Sequence, residues 1–191
     1  SEDVLRTQLA NADVVIHLAG ENRPKKLNDF HEGNVHLTKK ICEILAELQS
    51  PIPILLSSST QANQKNDYGK SKKLAEISIE QYSKSTGISA AIYRLPGVFG
   101  KWCKPNYNSV VATFCHNVAH GLPNRVDDSD GQLKLVYIDD VIDSFISWLK
   151  GPFKPGLSKR AVDPEYIISL GELVGLIEEF PNSRKSLVSE P

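Results

Sequence analysis

The sequence has no methionine, only three cysteines, and no apolar run long enough to cross a bilayer. Cys42, Cys103 and Cys115 are odd in number and widely spaced, which fits neither a disulfide framework nor a paired Cys-x-x-Cys metal motif. Free structural thiols in a reducing, cytoplasmic setting are their simplest account. Neither sign of charge is in excess: 22 Lys and Arg stand against 23 Asp and Glu, a net charge of −1. That balance leaves no footprint for nucleic acid or an anionic membrane, so an anionic ligand must be held by locally placed donors. The opening SEDVLRTQLA lacks the basic segment and apolar run of a signal peptide. His116 and His120 stand four apart with no evident third ligand, so no metal site is expected.

What is present has the composition of an ordinary soluble domain, 191 residues with 40% hydrophobic and 24% charged. Apolar runs alternate with helical patterns, which argues for βαβ units and a parallel sheet. Asp13–Ala19 reads as a strand buried on both faces, 34–48 as a helix, and Ile54–Ser57 as the next strand. A second helix is expected over 68–82, ended near Gly87, followed by a strand over Ala90–Leu95 that stops at Pro96. Further on, a helix over about 110–120, a strand over 133–138 and a helix to Leu149 are expected, with Asp139 and Asp140 as its N-caps. Residues 121–131 read as a turn-rich surface segment and 151–164 as linker. A last amphipathic helix over 170–180 has Ser169 as its cap.

The chemistry centres on Tyr68-Gly69-Lys70-Ser71-Lys72. Four-residue spacing puts Tyr68 and Lys72 on one helical face, where an ammonium is expected to lower the phenol's pKa toward general acid/base range. Spacing alone is a weak signal: composition yields such a pair by chance in roughly one chain in three. Ser57-Ser58-Ser59-Thr60 adds hydroxyls directly after an apolar strand, the end at which open α/β sheets bind ligands; a helix cap or turn is the alternative.

In order as well as content these residues resemble the extended short-chain dehydrogenases, the NAD-dependent epimerase/dehydratase family. His17-Leu18-Ala19-Gly20 is similar to its fourth-strand H-[LF]-A-[AG] segment, and Asn34-Val35-His36-Leu37-Thr38 to N-V-x-G-T, with Leu37 in place of glycine. Ser57-Ser58-Ser59 resembles S-S-[ST], Tyr68 and Lys72 match Y-x-x-x-K, and Arg94–Gly100 resembles R-x-x-N-V-[YF]-G with Gly97 where asparagine is usual. Tyr137-Ile138-Asp139-Asp140-Val141 resembles Y-V-D-D-V. Only eight residues separate Ser59 from Tyr68. That short link, with HLAGENRP, GKWCKPNYNSVVATF and SLGELVGLIEEFPNSR, is most similar to the capsular-polysaccharide UDP-sugar 4-ketoreductases of N-acetyl-L-fucosamine synthesis.

The resemblance implies an α/β, Rossmann-like doubly wound parallel sheet with a small mixed substrate-binding lobe. Residues 1–100 would be a partial dinucleotide-binding core with the catalytic residues, and 101–191 mostly a substrate lobe, with sheet-completing segments, of the same domain. It implies NADP(H)-dependent reduction of the 4-keto group of a UDP-2-acetamido-2,6-dideoxyhexulose, with NAD(H) the alternative coenzyme. Ser59, Tyr68, Lys72 and Asn34 would be catalytic: Tyr68 donates a proton, Ser59 polarises the carbonyl, Lys72 tunes Tyr68 and holds the ribose, and Asn34 supports Lys72. Leu18, Ala19, Gly20, Ser57, Tyr68, Lys72, Leu95, Pro96 and Val98 would line the coenzyme. Arg23, Ser59, Gly97, Lys104, Asn106, Tyr107 and Asn108 would meet the substrate, Tyr107 by stacking on uracil; loop structure is the alternative for Arg23 and for Lys104–Asn108. His17 reads as a satisfied strand histidine and Asp140 as a cap.

The family's G-x-x-G-x-x-G loop, which cradles the coenzyme pyrophosphate, has no counterpart in this sequence, and neither does the C-terminal cupin that the capsular-polysaccharide reductases carry. An N-terminally incomplete fragment of a longer protein is therefore expected, and the want of methionine agrees. A 4-epimerase or dehydratase of the same family is the alternative activity. Thr60-Gln61, where dehydratases carry Asp-Glu, counts against the dehydratase. A non-catalytic nucleotide-binding fragment is the alternative from another class. A homodimer through helices 34–48 and 68–82 is implied, with no nucleic-acid or membrane partner.

Overall fold

The computed structural model describes residues 2–183, apart from the side chain of Leu27. Arg184, the end of the C-terminal similarity, and the rest of 184–191 lie outside the described residues. Of the described residues, Glu2–Pro96 with Phe145–Val162 form one compact unit, and Gly97–Ser144 with Asp163–Ser183 form a second.

The first unit holds α1 (Glu2–Ala10), β1 (Val15–His17), α2 (Leu27–Phe30), a π-helical stretch (His31–His36), α3 (Leu37–Glu47) and β2 (Ile54–Ser59). A 3-10 turn (Thr60–Asn63), α4 (Asp67–Thr86) and β3 (Ala90–Leu95) follow, and β6 (Leu157–Arg160) joins them later in the chain. The strands make one parallel sheet in the order β1-β2-β3-β6. Ile54, Leu55, Ala90, Ala91, Ile92 and Tyr93 are fully buried, because a parallel sheet covered on both faces needs continuous apolar runs. Against the sheet pack Ile41, Ile44 and Leu45 of α3 and Ala75, Ile79 and Tyr82 of α4.

α4 is delimited by ordinary capping. The Asn66 side chain accepts the Gly69 N–H at 2.6 Å, and Gly87 ends the helix at φ 72°. It therefore extends beyond the expected 68–82. The helix expected over 34–48 begins earlier, at Leu27, and passes through π geometry before α3. The linker reading of 151–164 is corrected: it contains β6, paired with β3 from Ala90↔Leu157 to Tyr93↔Arg160. LSKR is too short and too polar to give an apolar-run signal.

The second unit holds β4 (Gly97–Phe99), α5 (Val110–Ala119), β5 (Gln132–Tyr137), β7 (Tyr166–Ser169) and α7 (Leu170–Ser183). Its sheet has the order β4-β5-β7, parallel then antiparallel. Phe114 of α5 packs with Leu173 and Ile177 of α7. Ser169 caps α7 as expected, in a reciprocal box: its hydroxyl accepts the Glu172 N–H, and Glu172 accepts the Ser169 N–H. The reading of Asp139 and Asp140 as N-caps is corrected. β5 runs straight into α6 (Ile138–Lys150), so both lie in its first turn, where carboxylates oppose the positive helix end. Asp139 pairs with Lys101 at 2.5 Å.

Candidate active site

The carboxyl ends of β1, β2 and β3 meet at one edge of the parallel sheet, with His17 opposite Leu56 and Ser59 opposite Leu95. α4 leans on that edge. Lys72, 6% exposed, donates from Nζ to the Ser57 carbonyl at 2.8 Å. An ammonium carries three donors and Ser57 takes one, so Lys72 keeps capacity for a polar ligand. One turn earlier, the Ser59 hydroxyl lies near enough to the Tyr68 phenol to favour its charged form, and the Phe30 ring lies 5.8 Å from the Tyr68 ring. Ser59 also accepts the Gln61 N–H at 3.2 Å, capping the 3-10 turn.

Gly69 explains how the turn and the helix start come so close. A Cβ there would lie 2.2 Å from the Gln61 carbonyl oxygen and 2.9 Å from that of Gln64, so only glycine fits beside Tyr68.

Asn34, 2% exposed, ties the β1 exit to α4. Its Oδ1 accepts the Glu21 N–H at 2.7 Å, while Nδ2 donates to the Glu21 carbonyl and to the Ser71 hydroxyl, each at 2.9 Å. Asn34 thus meets α4 at Ser71, the residue before Lys72. A Cβ on Gly20 would stand 2.8 Å from Asn34 Oδ1 and 3.6 Å from Lys72 Nζ, which puts the β1 exit directly beside both. Leu18, Ala19 and Gly20 are exposed there, as is Arg23, whose N–H is held by the Glu21 carboxylate at 2.7 Å.

His17 is the satisfied strand histidine expected, at 4% exposure. Its Nε2 lies 2.8 Å from the Thr38 hydroxyl, which already gives its single proton to the Asn34 carbonyl at 2.6 Å. The histidine must therefore donate through Nε2–H. Burial first, and the Lys72 charge second, push its pKa down to about 4.

The electrostatics correct one expectation. The Tyr68 phenol is raised above the ordinary tyrosine value, because burial outweighs the opposing hydrogen bond from Ser59. The Lys72 ammonium is lowered by burial, with Glu76 working the other way.

Sequence reasoning missed Glu76. It is 1% exposed and bridges Ser58 of β2 and Arg94 of β3. A signal was there: on a helix whose buried residues include 72, 75, 79 and 82, position 76 carries a charge.

Of the expected site residues, Leu18, Ala19, Gly20, Arg23, Asn34, Ser57, Ser59, Tyr68, Lys72, Leu95 and Pro96 all belong to the first unit. Gly97, Val98, Lys104, Asn106, Tyr107 and Asn108 belong to the second. There Gly97 and Val98 pair with Leu135 and Val136. Lys104, Asn106, Tyr107 and Asn108 are exposed, and the Asn106 N–H donates to the Thr113 hydroxyl at 3.0 Å. Among the described residues no group of three or more His, Cys, Asp or Glu could hold a metal ion, and His120 Nδ1 is spent on the His116 carbonyl at 2.8 Å. No helix of the described residues is long and apolar enough to cross a membrane.

Comparison with known proteins gives a consistent pattern. The profile described as "NAD dependent epimerase/dehydratase family" matches residues 2–156. A UDP-2-acetamido-2,6-beta-L-arabino-hexul-4-ose reductase of Pseudomonas aeruginosa is 44% identical over 181 residues, 95% of this chain and 48% of that protein. Among solved structures, the capsular polysaccharide assembling protein CapF of Staphylococcus aureus aligns at a TM-score of 0.81 with 38% identity, over 96% of this chain and 49% of that one. A UDP-glucuronic acid 4-epimerase of Bacillus cereus, solved with UDP-glucuronic acid and NAD, aligns at 0.82 with 18% identity, over 93% of this chain and 62% of that one. This last likeness is one of fold. The chain spans about half the length of the reductase and of CapF.

Proposed function

This chain belongs to the NAD dependent epimerase/dehydratase family, and on that premise we propose that it carries the catalytic centre of an NADP(H)-dependent reductase acting on the 4-keto group of a UDP-linked N-acetylated deoxyhexose. The observation that carries the reading is the Tyr68 phenol, beside the Ser59 hydroxyl and one helical turn from the buried Lys72. The 44% identity to a UDP-sugar 4-keto reductase supports the substrate class.

The residues fit a nicotinamide coenzyme: a buried ammonium with donors to spare, at the carboxyl ends of parallel strands beside the exposed Leu18–Gly20 exit. Lys72 and Tyr68 would hold it, with Ser57, Leu95 and Pro96 along the strand ends. Such a group supplies the hydride. Because burial keeps the Tyr68 phenol protonated well above neutral pH, Tyr68 enters the reaction as an acid and protonates the developing alkoxide. Ser59 holds the carbonyl oxygen by a hydrogen bond that strengthens as its charge grows. Lys72 supplies the positive field that stabilises the phenolate left behind.

Arg23, Gly97, Lys104, Asn106, Tyr107 and Asn108 are the proposed sugar-nucleotide contacts, with NADP(H) preferred over NAD(H). A homodimer would form through α3 and α4, where Leu74 and Ile77 are exposed and a shallow groove is lined by Lys39, Cys42, Ala46, Ser78 and Gln81. A single monomeric species in sedimentation would remove that part. A cytoplasmic setting suits the free thiols. The test of the whole reading is full-length protein with a 4-keto UDP-sugar and NADPH or NADH, followed by loss of coenzyme absorbance; no turnover with either overturns it.

A further inference from the structure

One turn beyond Lys72, the buried carboxylate of Glu76 makes contacts that lead back to the strand end carrying Ser59. Its Oε1 accepts from the Ser58 hydroxyl at 2.7 Å and from Arg94 Nε at 2.8 Å. Its Oε2 accepts from Arg94 Nη2 at 2.6 Å and pairs with Lys73 Nζ at 3.5 Å. Arg94 then reaches on, donating from Nη1 to the Asn63 side chain at 2.7 Å. Asn63 ends the 3-10 turn that Ser59 caps. Ser59 is thus bracketed: Ser58, before it, is held directly by Glu76, and Asn63, after it, is held through Arg94.

A well-packed apolar pair would join β3 to α4 at no loss of stability, and often with a gain, because burying two charges is costly. What the ion pair adds is direction. Each carboxylate lone pair points at one partner, and a slip of the strand end against the helix would leave a buried charge unpaired. On the opposite side the contact of Gly69 with the turn sets how near the two can come.

We infer that Glu76 is a positioning residue for the proposed reaction: through Ser58 and the Arg94–Asn63 arm, its carboxylate sets the Ser59 hydroxyl against the Tyr68 phenol. The inference rests on the reductase reading and assigns that site a support outside its reacting groups. Glu76→Gln keeps the shape and the acceptor for Ser58 but removes the charge that orders Arg94.

In full-length protein with NADPH and the 4-keto UDP-sugar, kcat of Glu76→Gln is expected to fall between about tenfold and a hundredfold, as misplacement of a reacting group does. KM for both ligands should stay within about twofold, since Glu76 is buried and its carboxylate is taken up by Ser58 and Arg94. Asn63 is exposed, so Asn63→Ala should lower kcat severalfold at an unchanged melting temperature. Combined with Glu76→Gln it should add nothing further, because the two act along one chain of contacts. Full wild-type kcat in a folded Glu76→Gln and in Asn63→Ala overturns the inference. Should Glu76→Gln fail to fold, Asn63→Ala and Ser58→Ala decide: loss of kcat supports the inference, and unchanged kcat in both overturns it. If the wild type itself reduces no keto sugar, the reductase reading has failed instead. Deuterium exchange over residues 57–70 is then the deciding measurement: faster exchange in Asn63→Ala and Ser58→Ala at unchanged global stability supports the positioning role, and unchanged exchange overturns it.

Discussion

The Lys72 ammonium donates to the backbone carbonyl of Ser57 at 2.8 Å, so the lysine is anchored by the strand that ends in the Ser59 hydroxyl. The anchor is a backbone atom and survives any side-chain change at position 57. Because burial lowers the Lys72 pKa, the reduction rate should be flat through neutral pH. It should then fall on the alkaline side below the ordinary lysine value of about 10.4. A pH profile of kcat/KM checks this, and Lys72→Arg should carry the limb beyond the measurable range.

Tyr68→Phe removes the proposed acid while leaving the ring packed near Phe30. Turnover should drop by about 10²–10⁴-fold, the usual worth of a positioned proton donor. Coenzyme affinity, read by fluorescence titration, should stay within a few-fold. Unchanged turnover would remove Tyr68 from the mechanism.

His17 makes stability depend on pH. Its folded-state pKa is depressed from 6.5 to about 4, so the unfolded chain binds the proton first. The contribution is whole above about pH 6.5 and is lost as pH falls toward 4, amounting to about 3 kcal/mol. Urea unfolding at a series of pH values should show the decline. His17→Gln, which cannot take a proton, should flatten that part of the curve.

Gly69→Ala sets two effects of opposite sign against each other. In an open helix position alanine gains about 1 kcal/mol over glycine. Here the new methyl would stand 2.2 Å from the Gln61 carbonyl oxygen, a backbone atom that moves only with the turn. The clash should win, with a net loss of about 1–3 kcal/mol in unfolding midpoint measurements and a lowered kcat as Ser59 shifts.

Where apolar runs and caps speak, the sequence predicts the fold closely: β3 is found at Ala90–Leu95 as expected, and α4 ends at Gly87. β6 is invisible at that level because three of its four residues are polar and its pairing is supplied by β3, far away in the chain. Tyr68, Lys72 and Ser59 are legible as neighbours, since helical spacing and strand ends dictate proximity. The direction of the phenol's shift is not, because a pattern of letters carries no measure of how much water a group loses. Glu76 lies between the two cases: its position in the buried stripe is readable, while its partners Ser58 and Arg94 come from two strands whose pairing only the fold decides.

The π-helical stretch His31–His36 has a consequence for chain length. A π turn carries one residue more than an α turn, and each residue of an α-helix advances about 100°. Deleting Val35 or His36 would restore a regular helix, and by local criteria a better one. It would also turn everything on one side of the deletion by roughly that angle relative to the other, so Asn34 could no longer face Glu21 and Ser71 while Thr38 faces His17. In this segment residue number sets phase, and the change that most improves the helix is the one that would disconnect it from the site.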